Sequence, residues 1–228
     1  MKNILFIMLL ISSSIMIAQD NQLDSNGKRH GIWKKEFQNG RIRYQGTFDH
    51  GKEIGTFKFY SAKSSDHPVI TKEFNTADDT AIAKFYTTEG KLESEGVMKA
   101  KTRIGKWLYY HKDGKTVMQE ENYTNGKLNG AYKTFYPNKK PTIITTYKNG
   151  LLHGDFKRYA VKGHIYQDLN YINGKLEGEG TYFDRKTGEI IKKGKFVDDE
   201  KVGIWEYYVD GVMIEAKEIV KPKFKKKK

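Results

Sequence analysis

The sequence predicts an all-β chain: tandem β-hairpin repeats laid side by side in one elongated, twisted, single-layer antiparallel sheet. Three observations predict it. A glycine–x–aromatic element returns every 24 to 26 residues. Two turn dipeptides recur in each unit. The stretches between them are rich in Tyr, Phe, Trp, Ile and Thr, which suit a pleated surface.

The repeat can be followed along the chain. Gly31-Ile-Trp33, Gly55-Thr-Phe57, Gly105-Lys-Trp107, Gly130-Ala-Tyr132, Gly154-Asp-Phe156 and Gly203-Ile-Trp205 share one pattern, and weaker copies fall at Ala81 and Gly178. Five residues after an anchor stand Tyr60, Tyr86, Tyr110, Phe135, Tyr159, Phe183 and Tyr208. A further aromatic register holds Phe48, Phe74, Tyr123, Tyr147, Tyr171 and Phe196. Asn125-Gly126, Asn149-Gly150 and Asn173-Gly174 supply residues that tolerate positive φ, as tight hairpin turns require. Eight units of strand, turn, strand, turn give about sixteen strands, with contacts confined to neighbouring repeats. Residues 61–80 break the pattern, with a loop expected near Asp66-His67-Pro68 and Ala81 in place of the anchor glycine.

The ends differ from the body. Residues 1–18 read as a secretory signal peptide: Lys2, then the apolar run Ile4–Leu10 with Ile11, Ile15 and Ile17, and cleavage near Ala18/Gln19. That run is too short to span a bilayer comfortably, so an exported, periplasmic or secreted chain is expected. Residues 19–26 are a short linker, 27–220 hold the repeats, and 221–228 form a basic tail. Of the net charge of +13, Lys2 carries one and the tail six, which leaves the body only mildly basic. The tail includes Lys225, Lys226, Lys227 and Lys228 beside Phe224. It is either a solubilising end or an electrostatic attachment to an anionic surface. Nucleic acid is not an expected partner for an exported chain.

The search for chemistry excludes more than it finds. With no Cys among 228 residues, disulfides, thiolate metal sites and Cys nucleophiles are absent. No hydrolase elbow, phosphate-cradling loop or His-Glu-x-x-His is present, so no catalytic residue and no cofactor is assigned. His30 and His153 share the place before the anchor, which points to turn structure. His153 and His164 face one another across a hairpin without carboxylates to complete a metal site, and none is assigned. Glu120-Glu121 and Asp198-Asp199 read as solvated turn or edge charge. Trp33, Trp107 and Trp205 are candidate binding residues, as an aromatic track for glycans or peptides; their shared register favours the core of the sheet.

The strings Asn125-Gly-Lys-Leu-Asn-Gly-Ala-Tyr-Lys-Thr-Phe-Tyr136 and Asn173-Gly-Lys-Leu-Glu-Gly-Glu-Gly-Thr-Tyr-Phe183 resemble the MORN repeat. The form is the bacterial variant often labelled a toxin–antitoxin antitoxin component. The resemblance covers about residues 27–219. It implies tandem hairpins, scaffolding and, in some members, association with membranes or phospholipids. The expected function is a non-enzymatic protein–protein interaction scaffold. The alternative is an envelope surface-association module for anionic lipid or polysaccharide. An antitoxin or immunity-type role is the third reading, and oligomeric state is left open.

Overall fold

The computed structural model describes residues 20–219. The leader read at 1–18 and the tail with Lys225–Lys228 lie outside the described residues. Nineteen strands follow in chain order. They are β1 (Gln22–Leu23), β2 (Arg29–Glu36), β3 (Ile42–Asp49), β4 (Lys52–Phe59), β5 (Ile70–Phe74), β6 (Thr80–Tyr86) and β7 (Leu92–Lys99). Then come β8 (Thr102–Tyr110), β9 (Val117–Thr124), β10 (Lys127–Leu128), β11 (Gly130–Phe135), β12 (Pro141–Lys148) and β13 (Leu151–Tyr159). The last six are β14 (Ile165–Ile172), β15 (Lys175–Leu176), β16 (Gly178–Phe183), β17 (Ile190–Val197), β18 (Glu200–Val209) and β19 (Val212–Ile219). Successive strands pair antiparallel, with β10 and β11 both on β9 and β15 and β16 both on β14, and β1 and β19 stay apart, so the sheet is open. β10–β11 and β15–β16 are each one strand interrupted by a single residue, Asn129 or Glu177. Joining those pairs leaves the short β1 and sixteen strands of the repeat.

Two kinds of glycine build this sheet. The anchors Gly31, Gly55, Gly105, Gly130, Gly154, Gly178 and Gly203 all have φ between 62° and 105°. From Gly55 onward each sits where its strand carries two residues more than the preceding strand. Val97 pairs Ile104 while Gly96 pairs Trp107, and Tyr147 pairs Leu152 while Thr145 pairs Phe156. The anchor is thus a bulge glycine, and its left-handed backbone is the reason for the residue type. The tight turns at Asn125-Gly126, Asn149-Gly150 and Asn173-Gly174 have positive φ at both residues, as expected.

The second kind has ordinary φ and is a seat for a ring. A Cβ on Gly46 would lie 2.4 Å from the Phe57 ring, one on Gly96 2.4 Å from Trp107, and one on Gly194 2.5 Å from Trp205. Each seat lies eleven residues before its ring. In two units the seat is large and the partner small: Lys72 precedes Ala83, and Leu169 precedes Gly180. In those units size is shared between adjacent strands, as close packing requires.

One face of the sheet is aromatic and carries the core. Phe48 meets Phe57 at 5.1 Å, Phe57 meets Phe74 at 5.3 Å, Phe156 meets Tyr171 at 5.4 Å and Phe196 meets Trp205 at 5.0 Å, all edge to face. Such rings gain roughly 0.5–1.5 kcal/mol per pair beyond the area they bury. The register five residues after the anchor does not join this ladder. Three positions separate it from the buried rings, and an odd spacing on a strand reverses the face. Tyr60 accepts a hydrogen bond from Gln45 there, and Tyr110 donates one to Glu95.

Residues 60–80 do break the pattern. A ten-residue loop joins β4 to β5, and five residues join β5 to β6 where other units use two. Ala81 pairs Phe74 with no bulge. Alanine resists the left-handed backbone an anchor needs, so the extra residues sit in the turn instead.

Candidate functional site

Each tryptophan belongs to a built unit rather than an isolated ring. Two residues before the anchor stand Arg29, Arg103 and Lys201, in Arg29-His-Gly-Ile-Trp33, Arg103-Ile-Gly-Lys-Trp107 and Lys201-Val-Gly-Ile-Trp205. The bulge turns this cation over the ring, at 4.9 Å from Trp33, 4.5 Å from Trp107 and 4.0 Å from Trp205. Each contact contributes about 0.5–2 kcal/mol, the more the drier it is. The indole N–H groups donate to backbone carbonyls of Gln22, Val97 and Lys195 at 3.0, 3.1 and 3.3 Å. Trp107 and Trp205 retain 0% exposure. They offer no ring face to a ligand here and are packing layers. Trp33 is half-buried, because β1 before it has only two residues. The sequence already carried this cation, four residues before every Trp, as a signal that was not read.

Glu120 and Glu121 part company, contrary to a common solvated-edge reading. Glu120 lies on the polar face and pairs with Lys106 at 3.0 Å. Glu121 is 7% exposed, in the seat register that holds Gly46, Gly96, Thr145 and Gly194 in other units. Gln119 and Tyr123 each donate to its carboxylate at 2.7 Å. Arg103 donates in turn to Tyr109 at 2.7 Å and to Tyr123 at 3.3 Å. Burial first, then hydrogen bonding with Glu121, raises the Tyr109 phenol far above its ordinary value. The carboxylate is fully partnered, so this network fixes the middle of the array and leaves no free base. Asp198-Asp199 does form a turn, with φ of 51° and 69°. His153 and His164 are not brought together: the first accepts from the Asn173 N–H, the second bonds the Arg185 carbonyl.

The irregular second unit holds a feature that the sequence reading missed. Ala83 stands where most units carry a ring, Ala81 takes the anchor place two residues before it, and a hollow of about 560 Å³ opens on the aromatic face. Phe74 and Ala81 line it, and Lys52, Lys72, Lys99 and Lys101 surround it, with Glu53 and Asp79 the acids. Lys52 is engaged by Asp79 at 3.0 Å. An apolar floor inside a lysine rim suits an anion carrying some hydrocarbon. The legible signal was Ala83 at a ladder position.

The opposite face is polar and self-paired. Lys84–Glu95, Lys157–Asp168 and Lys193–Glu206 bridge neighbouring strands at 3.2, 2.8 and 3.1 Å. Such exposed pairs are worth little each. The C-terminal strand is different again. Among the described residues β19 pairs with β18 alone, and Val212, Met213 and Ile214 are 67%, 53% and 64% exposed.

A family model described as MORN repeat variant matches residues 29–50 and 128–149. Both segments are hairpins of the kind described, so the chain carries MORN-type repeats. No curated protein matches the chain. MORN repeats are in general binding modules for proteins or membrane lipids.

Proposed function

We propose that this MORN-repeat chain is an exported, non-enzymatic scaffold that binds a protein partner by extending its open sheet. The edge of β19 carries the reading. It is a strand of eight residues with backbone groups unpaired on one side among the described residues, and with exposed Val212, Met213 and Ile214, the first opposite exposed Val209. Natural edges are usually shortened, charged or covered against such pairing. An extended partner segment would add main-chain hydrogen bonds for affinity and side-chain contacts for choice. The test is an affinity pull-down of residues 20–228 from the native envelope fraction, with a tail-deleted control and a Val212→Lys/Ile214→Lys variant. A stoichiometric protein kept without the tail and lost with the edge variant is the expected result. A partner indifferent to the edge variant would remove this mode of binding.

The lysine-rimmed hollow favours a second reading, association with an anionic lipid or envelope polysaccharide. Vesicle binding that survives deletion of Lys221–Lys228 but falls with Lys72→Ser/Lys101→Ser would support recognition by the repeats. Binding lost with the tail alone would reduce it to general electrostatics. Export rests on the leader composition, and the N-terminal residue of the mature protein tests it.

A further inference from the structure

We propose that His30, Asp49 and His50 form a binding site for a divalent d-block cation of the zinc class, with Asp24 orienting His50. The ligands come from separate strands. His30 lies on β2, while Asp49 ends β3 and His50 opens the β3–β4 turn. His30 Nδ1 lies 3.5 Å from Asp49 Oδ1, and His50 Nε2 lies 3.8 Å from the same oxygen. One ligand atom from each residue falls within 4.8 Å of the others. A tetrahedral ion with bonds of about 2.0–2.1 Å needs its ligand atoms about 3.3–3.4 Å apart, so small side-chain rotations close the site. Two imidazoles and a carboxylate select zinc and its neighbours over the hard cations calcium and magnesium. The fourth position faces solvent.

Asp24 supplies the second observation. Its side chain is 6% exposed. Oδ1 accepts from the N–H groups of Asn26 and Lys28 at 2.8 and 2.9 Å, which fixes the carboxylate in the β1–β2 turn. Oδ2 lies 2.6 Å from His50 Nδ1. A hydrogen bond from Nδ1–H to a fixed carboxylate leaves Nε2 unprotonated and aimed at the ion, the usual support for a histidine ligand.

The repeat itself supplies the control. His153 occupies the place of His30, and its Nδ1 accepts from the next turn at 3.4 Å, as His30 Nδ1 does from the His50 N–H. That contact is long for a hydrogen bond, so His30 gives up little by turning to a metal. Around His153 the turn residue is Asn173 and its predecessor Ile172, so no second site arises there. A bound ion would tie β2 and the β1–β2 turn to the β3–β4 turn, clamping the N-terminal end of the sheet.

The experiment is calorimetric titration of the untagged chain with zinc chloride, beside His50→Asn, Asp49→Asn, Asp24→Asn and His153→Asn. Asparagine holds the matching turn position at Asn125, Asn149 and Asn173 with φ near 50°, so His50→Asn preserves the hairpin. One site per chain is expected. His50→Asn and Asp49→Asn should abolish it, Asp24→Asn should weaken it about 10-fold, and His153→Asn should leave it intact. Hydrogen exchange of residues 21–36 should slow with zinc in the parent chain and not in His50→Asn. No saturable binding, or binding equal in His50→Asn, would overturn the site.

Discussion

The Trp107 unit and the Ala81–Ala83 unit stand side by side, and Gly96 touches both. It pairs Ala83 on one side and Trp107 on the other. Toward Trp107 the sheet is closed: glycine seat beneath, Arg103 above, Glu121 network beside. Toward Ala83 the ring is missing, the bulge is lost and a lysine-rimmed hollow remains. The difference teaches that one register sets stability and opportunity together. A large ring fills the layer and removes the surface that a ligand needs, while a small residue does the reverse.

Breaking the closed side should have the largest effect. Trp107→Ala removes a fully buried ring and should destabilise the central array by about 3–5 kcal/mol, read as a fall in melting temperature. An unchanged transition would contradict the core assignment. Gly96→Ala tests the seat from beneath. Its new Cβ would enter the Trp107 ring space, so a loss of about 1–3 kcal/mol is expected in denaturant titration. The same change at Gly46 or Gly194 should behave alike. Arg103→Met should cost about 1–2 kcal/mol, through the lost ring contact and the lost hydrogen bonds to Tyr109 and Tyr123.

Alkali offers a subtler probe of the same side. Burial, with the Glu95 hydrogen bond second, pushes Tyr110 up to about 12, and Tyr109 is raised further. A phenol whose folded pKa is raised stabilises the fold fully below its unfolded pKa near 10. That contribution is lost as pH climbs through the folded value. Stability should therefore decline between about pH 10 and 12, and less steeply in Tyr109→Phe/Tyr110→Phe. The smallest effect is expected on the polar face, where Lys106→Ala should change stability by less than about 1 kcal/mol. A larger loss there would mean that the ion pairs act as a network.

How much was legible follows from the kind of signal. The anchors, the Asn-Gly turns and the ring registers were visible because backbone conformation and period are local properties of the chain. The irregular second unit was visible too, through Ala81 and the missing turn. The buried state of Glu121 was not. Its neighbours Glu120 and Asn122 look solvent-facing, and only the pairing with Trp107 places it inside. The meeting of His30 with Asp49, His50 and Asp24 was missed for the same reason. Those residues are spread over residues 24–50, and the hairpins fold them to one end.

The sequence by itself determined the period, the strand and turn identities and the repeat family, since glycine at positive φ and alternating aromatics act within a few residues. The tertiary structure alone decided which face each ring takes, which glycine is a bulge and which a seat, and where charges gather. Bulges reset the register between strands, and register sets which side chains touch. A shift of two residues on one strand carries no mark of its own in the sequence until its neighbour is laid beside it.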